Sequence, residues 1–297
     1  MLYNSLKYLI FLLFIYGLFA CETPITLDQA EMQPEKSDLR LAFSVTEFSV
    51  GLNRIRFSII DTNTGPIKAE SVTVQTFYLE HGESEAPEDT RTAQYYEWPK
   101  PDTGIYGIET IFSKPGKWGI GVTVKNKSHT RLASGHFTVK GKSVTPEIGK
   151  KIPTTDHTII DSAHAVNQIT SDPNPYMPFY QTKIADSIDS SKGTVIVFSS
   201  PAFCKTGTCG PQLEILKTLH PKFQKDLDFI HIEIYKNPHT LTGKIDESDI
   251  NPVVSKWRLP SEPWTFITNR TGGLTHKFEG LVTTNELMDA LAINYPR

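Results

Sequence analysis

The chain has 297 residues, a length that suggests about two domains. Acidic and basic residues nearly balance at a net charge of −3, which gives no electrostatic case for a nucleic-acid partner. The charged and hydrophobic fractions, 21% and 38%, are those of a folded globular chain rather than a disordered one.

The first feature in chain order is "MLYNSLKYLIFLLFIYGLFAC". Lys7 supplies a short positive region, and Leu9 to Ala20 is an uninterrupted apolar run. That run is shorter than the roughly 20 residues of a stable membrane-spanning helix, so residues 1–20 read as a signal peptide. Leu18-Phe19-Ala20-Cys21 resembles a bacterial lipobox, with Phe19 bulkier than the usual occupant. The resemblance implies that Cys21 carries a diacylglycerol and becomes the first residue of the mature chain. The protein is then expected outside the cytoplasm, lipid-anchored to a bacterial membrane. Residues 21–37 are polar and without periodicity, as in a flexible tether.

Residues 38–142 alternate with period two. "RIRFSII", "SVTVQTFYL", "GIYGIETIF", "KWGIGVTVK" and "SGHFTVK" each place apolar side chains on one face, separated by turn signals such as "DTNTGP" and "SKPG". Several half-buried strands at short spacing predict an all-β sandwich. The stretch "GIYGIETIFSKPGKWGIGVTV" resembles the last strands of the immunoglobulin-like domains that accompany bacterial copper-handling and redox lipoproteins. The histidines here, His81, His129 and His136, are scattered and read as surface residues rather than metal ligands.

Residues 143–180 read as a linker and lead-in segment. "SVTPEIGKKIPTTDHT" is polar and proline-bearing, and "SDPNPYMPFY" is expected to be extended. In residues 181–297 the elements alternate. "TKIADSID" is helical, and "GTVIVFSS" is a buried strand bounded by Gly193 and Pro201. Apolar residues at 213, 216, 219 and 223 mark a helix. "LDFIHIEIY" is a strand, and "NPVVSKW" is a helix with Asn251 as N-cap. "WTFITNRTGGLTHKFEG" is a hairpin, and "TTNELMDALAI" opens with a capping box of Thr283 and Glu286. The whole is an α/β layer.

Cys204 and Cys209, the only cysteines besides Cys21, lie between the buried strand and the first long helix. If Cys21 is lipidated, no third thiol competes for pairing in an oxidising compartment. The segment Thr182–Leu291 resembles thioredoxin, carried by "TVIVFSS" before the cysteines, "EPWTFITNRTGG" after them and a last helix preceded by Gly280. The resemblance implies a thioredoxin-like fold, a reactive Cys204–Cys209 pair, and Pro263 as the cis-proline of the site. It also implies Glu262 and Trp264 as substrate-contacting neighbours, and protein thiols or disulfides as partners, with no cofactor. Cys209 stands at a helix start, where unpaired N–H groups lower a thiol's pKa. Glu262 acts the other way, because a nearby carboxylate disfavours the thiolate.

This chain departs from thioredoxin in its Cys-x4-Cys spacing, in Gln212 standing where the second cysteine would be, and in Val197 where a buried carboxylate is usual. Two alternatives follow. One is a Sco-like copper chaperone using Cys204 and Cys209 with a histidine such as His231, His239 or His276. The other is a non-catalytic binding module braced by a structural disulfide. A peroxiredoxin motif is matched only as Thr206-x2-Cys209. Trp257 and Trp264 would form either an apolar lip for a protein substrate or part of the core.

The lipobox can be tested directly. Cys21→Ser should abolish the mass added by the lipid and release the protein from the membrane fraction. Unchanged membrane retention and unchanged mature mass would contradict lipidation.

Overall fold

The computed structural model describes residues 38–79, 86–97, 104–127, 129–161 and 165–295. The signal peptide, Cys21, the tether and His81 lie outside the described residues. Among the described residues no helix is long and apolar enough to cross a membrane.

The period-two stretches form two five-stranded sheets. One contains β1 (Leu39–Phe43), β3 (Gly51–Asp61), β4 (Gly65–Pro66), β7 (Gln94–Glu97) and β8 (Gly104–Phe112). The other contains β2 (Phe48–Ser49), β5 (Ser71–Tyr78), β6 (Asp89–Thr92), β9 (Gly116–Asn126) and β10 (His129–Lys140). Their inward side chains meet in one core, where Phe57, Phe112 and Trp118 are fully buried. Alternation explains this: Ile55, Phe57 and Ile59 of β3 all face that core. β9 and β10 pair antiparallel over eleven positions from His129↔Asn126 to Val139↔Gly116, which makes them the longest ladder of the sandwich.

The segment after β10 is not a free linker. Gly149 and Ile152 donate backbone hydrogen bonds to Leu274 and Gly272, and Leu274 donates back to Lys150. Lys277 Nζ reaches the Thr145 hydroxyl at 2.9 Å. Proline and polar residues therefore mark an edge-pairing segment here, because hairpin backbone groups at the sheet edge need partners. "SDPNPYMPFY" is also not fully extended. Met177–Tyr180 form a 3-10 turn, with Pro178 in its first positions, where a missing N–H costs nothing.

The remaining chain builds a four-stranded sheet in the order β12-β11-β13-β14. Its strands are β11 (Gly193–Ser199), β12 (Leu227–Glu233), β13 (Trp264–Thr268) and β14 (Leu274–Glu279). β12 runs parallel to β11, whereas β13 is antiparallel to both β11 and β14. The helices are α1 (Val166–Ile169), α2 (Ile184–Asp189), α3 (Cys209–Phe223), α4 (Pro252–Trp257) and α5 (Thr284–Asn294). Every residue of β11 is buried. Val195 and Val197 pack with Leu213 and Leu216 of α3 and Leu287 and Leu291 of α5. Ile196 and Phe198 pack on the other face with Ile184 of α2 and Val254 and Trp257 of α4. Period two on a strand covered on both sides thus yields three layers.

The sandwich and the α/β layer meet through charge. Arg54 and Arg56 project from β3 onto Glu286 of α5, Arg54 Nε at 3.0 Å from Oε1. Arg54 also donates to the carbonyls of Glu279 and Leu281 at 3.0 and 2.8 Å. Burial works against ionisation of Glu286, but Arg54 and Arg56 outweigh it and hold its carboxyl below the usual range. Glu286 simultaneously closes the α5 capping box with Thr283.

Glu286→Ala should leave two largely buried guanidinium groups without their carboxylate partner, Arg54 keeping only its carbonyl contacts, and should also remove the capping partner. The expected loss is about 3 kcal/mol in urea denaturation, and adding Arg56→Met should recover part of it. A midpoint unchanged by Glu286→Ala would mean that this contact holds nothing together.

Candidate functional site

The site begins where β11 ends. Because β11 and β12 are parallel and fully paired, Ser199 lies opposite Glu233. The chain then turns through Ser200 to Thr208 and starts α3 at Cys209. Cys209 is completely buried, whereas Cys204 sits partly exposed in the turn. Their sulfurs are at bonding distance, and a disulfide joins them across a Cα–Cα separation of 6.1 Å. The Cys204 sulfur lies 3.2 Å from the Thr206 hydroxyl, which is 2.7 Å from that of Thr208. Thr208, the N-cap residue of α3, makes no side-chain cap bond. The first-turn N–H groups beside Cys209 are thus not neutralised by their own cap.

Glu262 approaches from the loop before β13. Its Oε2 lies 3.5 Å from the Cys209 sulfur and accepts a hydrogen bond from the Ser200 hydroxyl. Burial pushes its carboxyl above the usual range, against the opposing pull of the Ser200 hydrogen bonds and the Lys205 charge. The peptide bond between Glu262 and Pro263 is cis.

Behind this face lies a second buried carboxyl. Burial pushes Glu233 up to about 7, opposed by Ser171 and reinforced by the Glu262 charge. The Ser171 N–H donates to its Oε2 at 2.7 Å. The Ser171 hydroxyl accepts from the Ala202 N–H at 3.2 Å, which ties the cysteine turn to the same segment.

The candidate histidines His231, His239 and His276 are not grouped with the sulfurs. His231 is buried in β12. Its Nε2 donates to the Ser199 carbonyl at 3.0 Å, which leaves Nδ1 to accept from the Tyr180 hydroxyl at 2.9 Å. Burial lowers its pKa to about 4, so it is neutral and structural. His276 contacts the Thr275 hydroxyl and stacks on Phe278. His239 lies in the short 3-10 turn Pro238–Thr240. Among the described residues, the group of ligating side chains whose donor atoms all lie within 4.8 Å of one another is Cys204, Cys209 and Glu262, without a histidine. The Sco-type ligand set with His231 or His276 is therefore not assembled: the His231 ring is engaged by Ser199 and Tyr180, and the His276 ring by Thr275 and Phe278 of its own strand.

Trp264 is not an open lip. It is 3% exposed, stacks on Phe266 and donates from Nε1 to the Ser261 hydroxyl at 3.0 Å. Trp257 is likewise in the core, with Nε1 bonded to Thr155. Alternation in β13 puts Trp264 and Phe266 on the α4 face, where burial of the rings outweighs any exposed role. Gln212, at the thioredoxin position of the second cysteine, is buried and accepts from the Val282 N–H at 2.8 Å. It ties α3 to the loop before α5.

Ser200, Ser171 and Glu233 were not singled out from the sequence. A charged residue closing the apolar run "LDFIHIE" was the available signal for Glu233. A cleft of about 760 Å³ opens along β12, with His157, Lys183, Glu233 and Lys236 among its lining residues, but neither cysteine lines it.

No protein-family model matches the chain, and no curated protein matches it significantly. Several solved structures are similar in part. A thio-disulfide isomerase from Thermus thermophilus is 22% identical, covers 40% of this chain and 88% of its own, and has a TM-score of 0.30. The PKD domain of the human receptor SorCS2 is 14% identical over 43% of this chain and 96% of its own, with a TM-score of 0.21. A conjugative transposon lipoprotein from Bacteroides eggerthii is 12% identical over 33% of this chain and 93% of its own, with a TM-score of 0.19. All three scores are low, and the chemistry below rests on the site's own geometry.

Glu233 gives a pH prediction. A carboxyl whose folded pKa exceeds its unfolded value stabilises the fold fully below the unfolded value, and that stability is lost as pH rises through the folded one. For Glu233 the window runs from 4.5 to about 7. The disulfide form, in which neither cysteine titrates, should lose on the order of 3 kcal/mol across it. Glu233→Gln should flatten this slope in urea midpoints taken at about pH 5 and about pH 8. An equally steep slope in the variant would refute the assignment.

Proposed function

We propose that the chain is a membrane-anchored, extracytoplasmic thiol–disulfide oxidoreductase of thioredoxin-like type. The observation that carries this reading is the Cys204–Cys209 disulfide at the start of α3, with Cys204 partly exposed and Cys209 buried. Such asymmetry suits exchange with protein thiols or disulfides. An incoming thiolate attacks the partly exposed Cys204 sulfur, forming a new S–S bond and breaking the old one. The electron pair leaves on Cys209, whose thiolate is favoured by the α3 N-terminus. A second thiolate from the partner then attacks its own sulfur in the mixed disulfide and releases Cys204. The partner's two thiols are oxidised to a disulfide and the Cys204–Cys209 pair is reduced. The reverse sequence reduces a partner disulfide.

Glu262 moderates the couple. An ionised carboxylate at 3.5 Å disfavours the Cys209 thiolate, so it makes that sulfur a poorer leaving group. Anchoring through Cys21 would hold the site near a membrane surface. The β-sandwich, proposed as immunoglobulin-like, would serve as a spacer or partner-binding module. Among the described residues the copper-chaperone alternative has no histidine grouped with the sulfurs, and the staple alternative is separated by experiment.

In that experiment, Cys209→Ser, which keeps the open sulfur, should trap mixed disulfides with protein substrates. Glu262→Gln should speed reduction of the disulfide by small thiols on the order of tenfold at about pH 8. A disulfide that resists reduction in the folded protein, with no trapped partner, would instead identify a structural staple.

A further inference from the structure

We propose that the reduced site is a metal site: Cys204, Cys209 and Glu262 together hold one zinc-class divalent cation. The inference rests on the exchange reading in one respect, that the disulfide can be reduced in the folded protein.

The donor set points to this ion class. Two thiolates and a carboxylate suit borderline-soft Zn²⁺, whereas a carboxylate is a poor ligand for Cu(I). The three donor atoms lie within 4.8 Å of one another. With Zn–S about 2.3 Å and Zn–O about 2.0 Å, a tetrahedral site needs an S···O edge of about 3.5 Å. The Cys209 sulfur and Glu262 Oε2 are 3.5 Å apart before any metal enters. The S–S bond must open for the sulfurs to reach their own edge of about 3.8 Å, and the Cys204 sulfur, within 4.8 Å of the carboxylate, must meet the S···O edge as well.

Each donor also has an orienting partner. Ser200 donates to the Glu262 carboxylate. The Thr206 hydroxyl lies 3.2 Å from the Cys204 sulfur, and the start of α3 faces Cys209. Such outer contacts orient the ligands and tune affinity. Lys205, whose charge acts on Glu262, offsets part of the net charge of −1 that two thiolates and a carboxylate would give a bound dication. Three protein ligands leave a fourth position open on the side of Cys204, for water or a further thiolate.

The balance is simple. An external dithiol gives two electrons and two protons to the disulfide and is itself oxidised. The cation then displaces the two thiol protons and forms two metal–sulfur bonds and one metal–oxygen bond. Bound metal would hold the pair reduced and unable to attack a partner, so metal supply would gate the exchange activity.

The test uses the full chain in detergent, reduced with a phosphine and freed of it. A thiol count without denaturant is made first and should rise by two over the oxidised protein. If it does not rise, the exchange reading fails and the metal site with it. If it does, Co²⁺ is titrated as a spectroscopic probe. We expect one equivalent to bind with a sulfur-to-cobalt charge-transfer band and strong visible bands of a tetrahedral site, displaced by Zn²⁺. The oxidised protein should show none. Cys204→Ser, in the turn, should abolish the band. Glu262→Gln should weaken binding by at least about tenfold while keeping the thiol count and the far-ultraviolet dichroism. A folded, fully reduced protein that binds no Co²⁺ would overturn the proposal. So would Co²⁺ or Zn²⁺ affinity indifferent to Glu262→Gln, or binding of Cu(I) alone.

Discussion

A strand buried along its whole length must have its backbone paired on both sides, and β11 is such a strand. β12 supplies one side in parallel and β13 the other antiparallel. Both flanking strands carry a carboxyl residue at or just beyond the end where β11 delivers the cysteine turn. Glu233 lies opposite Ser199, and Glu262 stands two residues before Trp264, which pairs with Phe198. The constraint that satisfies the core therefore also sets two partly desolvated acids around one disulfide. The charge of Glu262 raises Glu233 beyond what its own burial does.

The sandwich contributes to this arrangement rather than merely preceding it. Thr46 donates from its backbone and its hydroxyl to the Glu279 carboxylate at 2.9 and 2.6 Å. Glu279 in turn accepts from the Ser261 hydroxyl at 2.6 Å, and Ser261 accepts from Trp264. The residue before Glu262 is thus held by a chain of contacts that starts in the sandwich. Arg54 and Arg56 fix the start of α5 in the same region. A break at this interface would reach the sulfurs through the loop that carries Glu262, with no sandwich residue needed in contact with them.

Much of the layer order was legible because β11, α3 and α5 obey simple periodicities. The Thr283–Glu286 capping box and the Asn251 N-cap are local and form as the residues imply. What was not legible depended on partners distant in sequence. Arg54 and Arg56 alternate with apolar residues as solvent-facing positions should, yet Arg56 is 2% exposed because Glu286 receives it. Trp264 follows the cis-proline by one residue yet is buried against Phe266, which no spacing reveals. The cysteine pair was visible as a pair. The third member of the group, Glu262, was noted as a neighbouring charge, but its 3.5 Å approach depends on the pairing of β13 with β11.

Two opposing fields meet at Cys209, and their balance decides what the site can do. The α3 N-terminus contributes roughly half a positive charge and favours a thiolate. Glu262 contributes up to a full negative charge from the other side and disfavours it. A site built only for fast attack would omit the acid. A site built only as a staple would have no use for an open sulfur at Cys204 beside a hydroxyl pair. Keeping both gives a sulfur pair whose reduced form is costly while the carboxylate stands alone. That form is relieved by anything positive placed between the three donors: a proton on Glu262 or a thiol, or a dication shared by all of them. On the proposed readings, the acid that would penalise the bare dithiol is the same group that would favour its proton- or metal-loaded form.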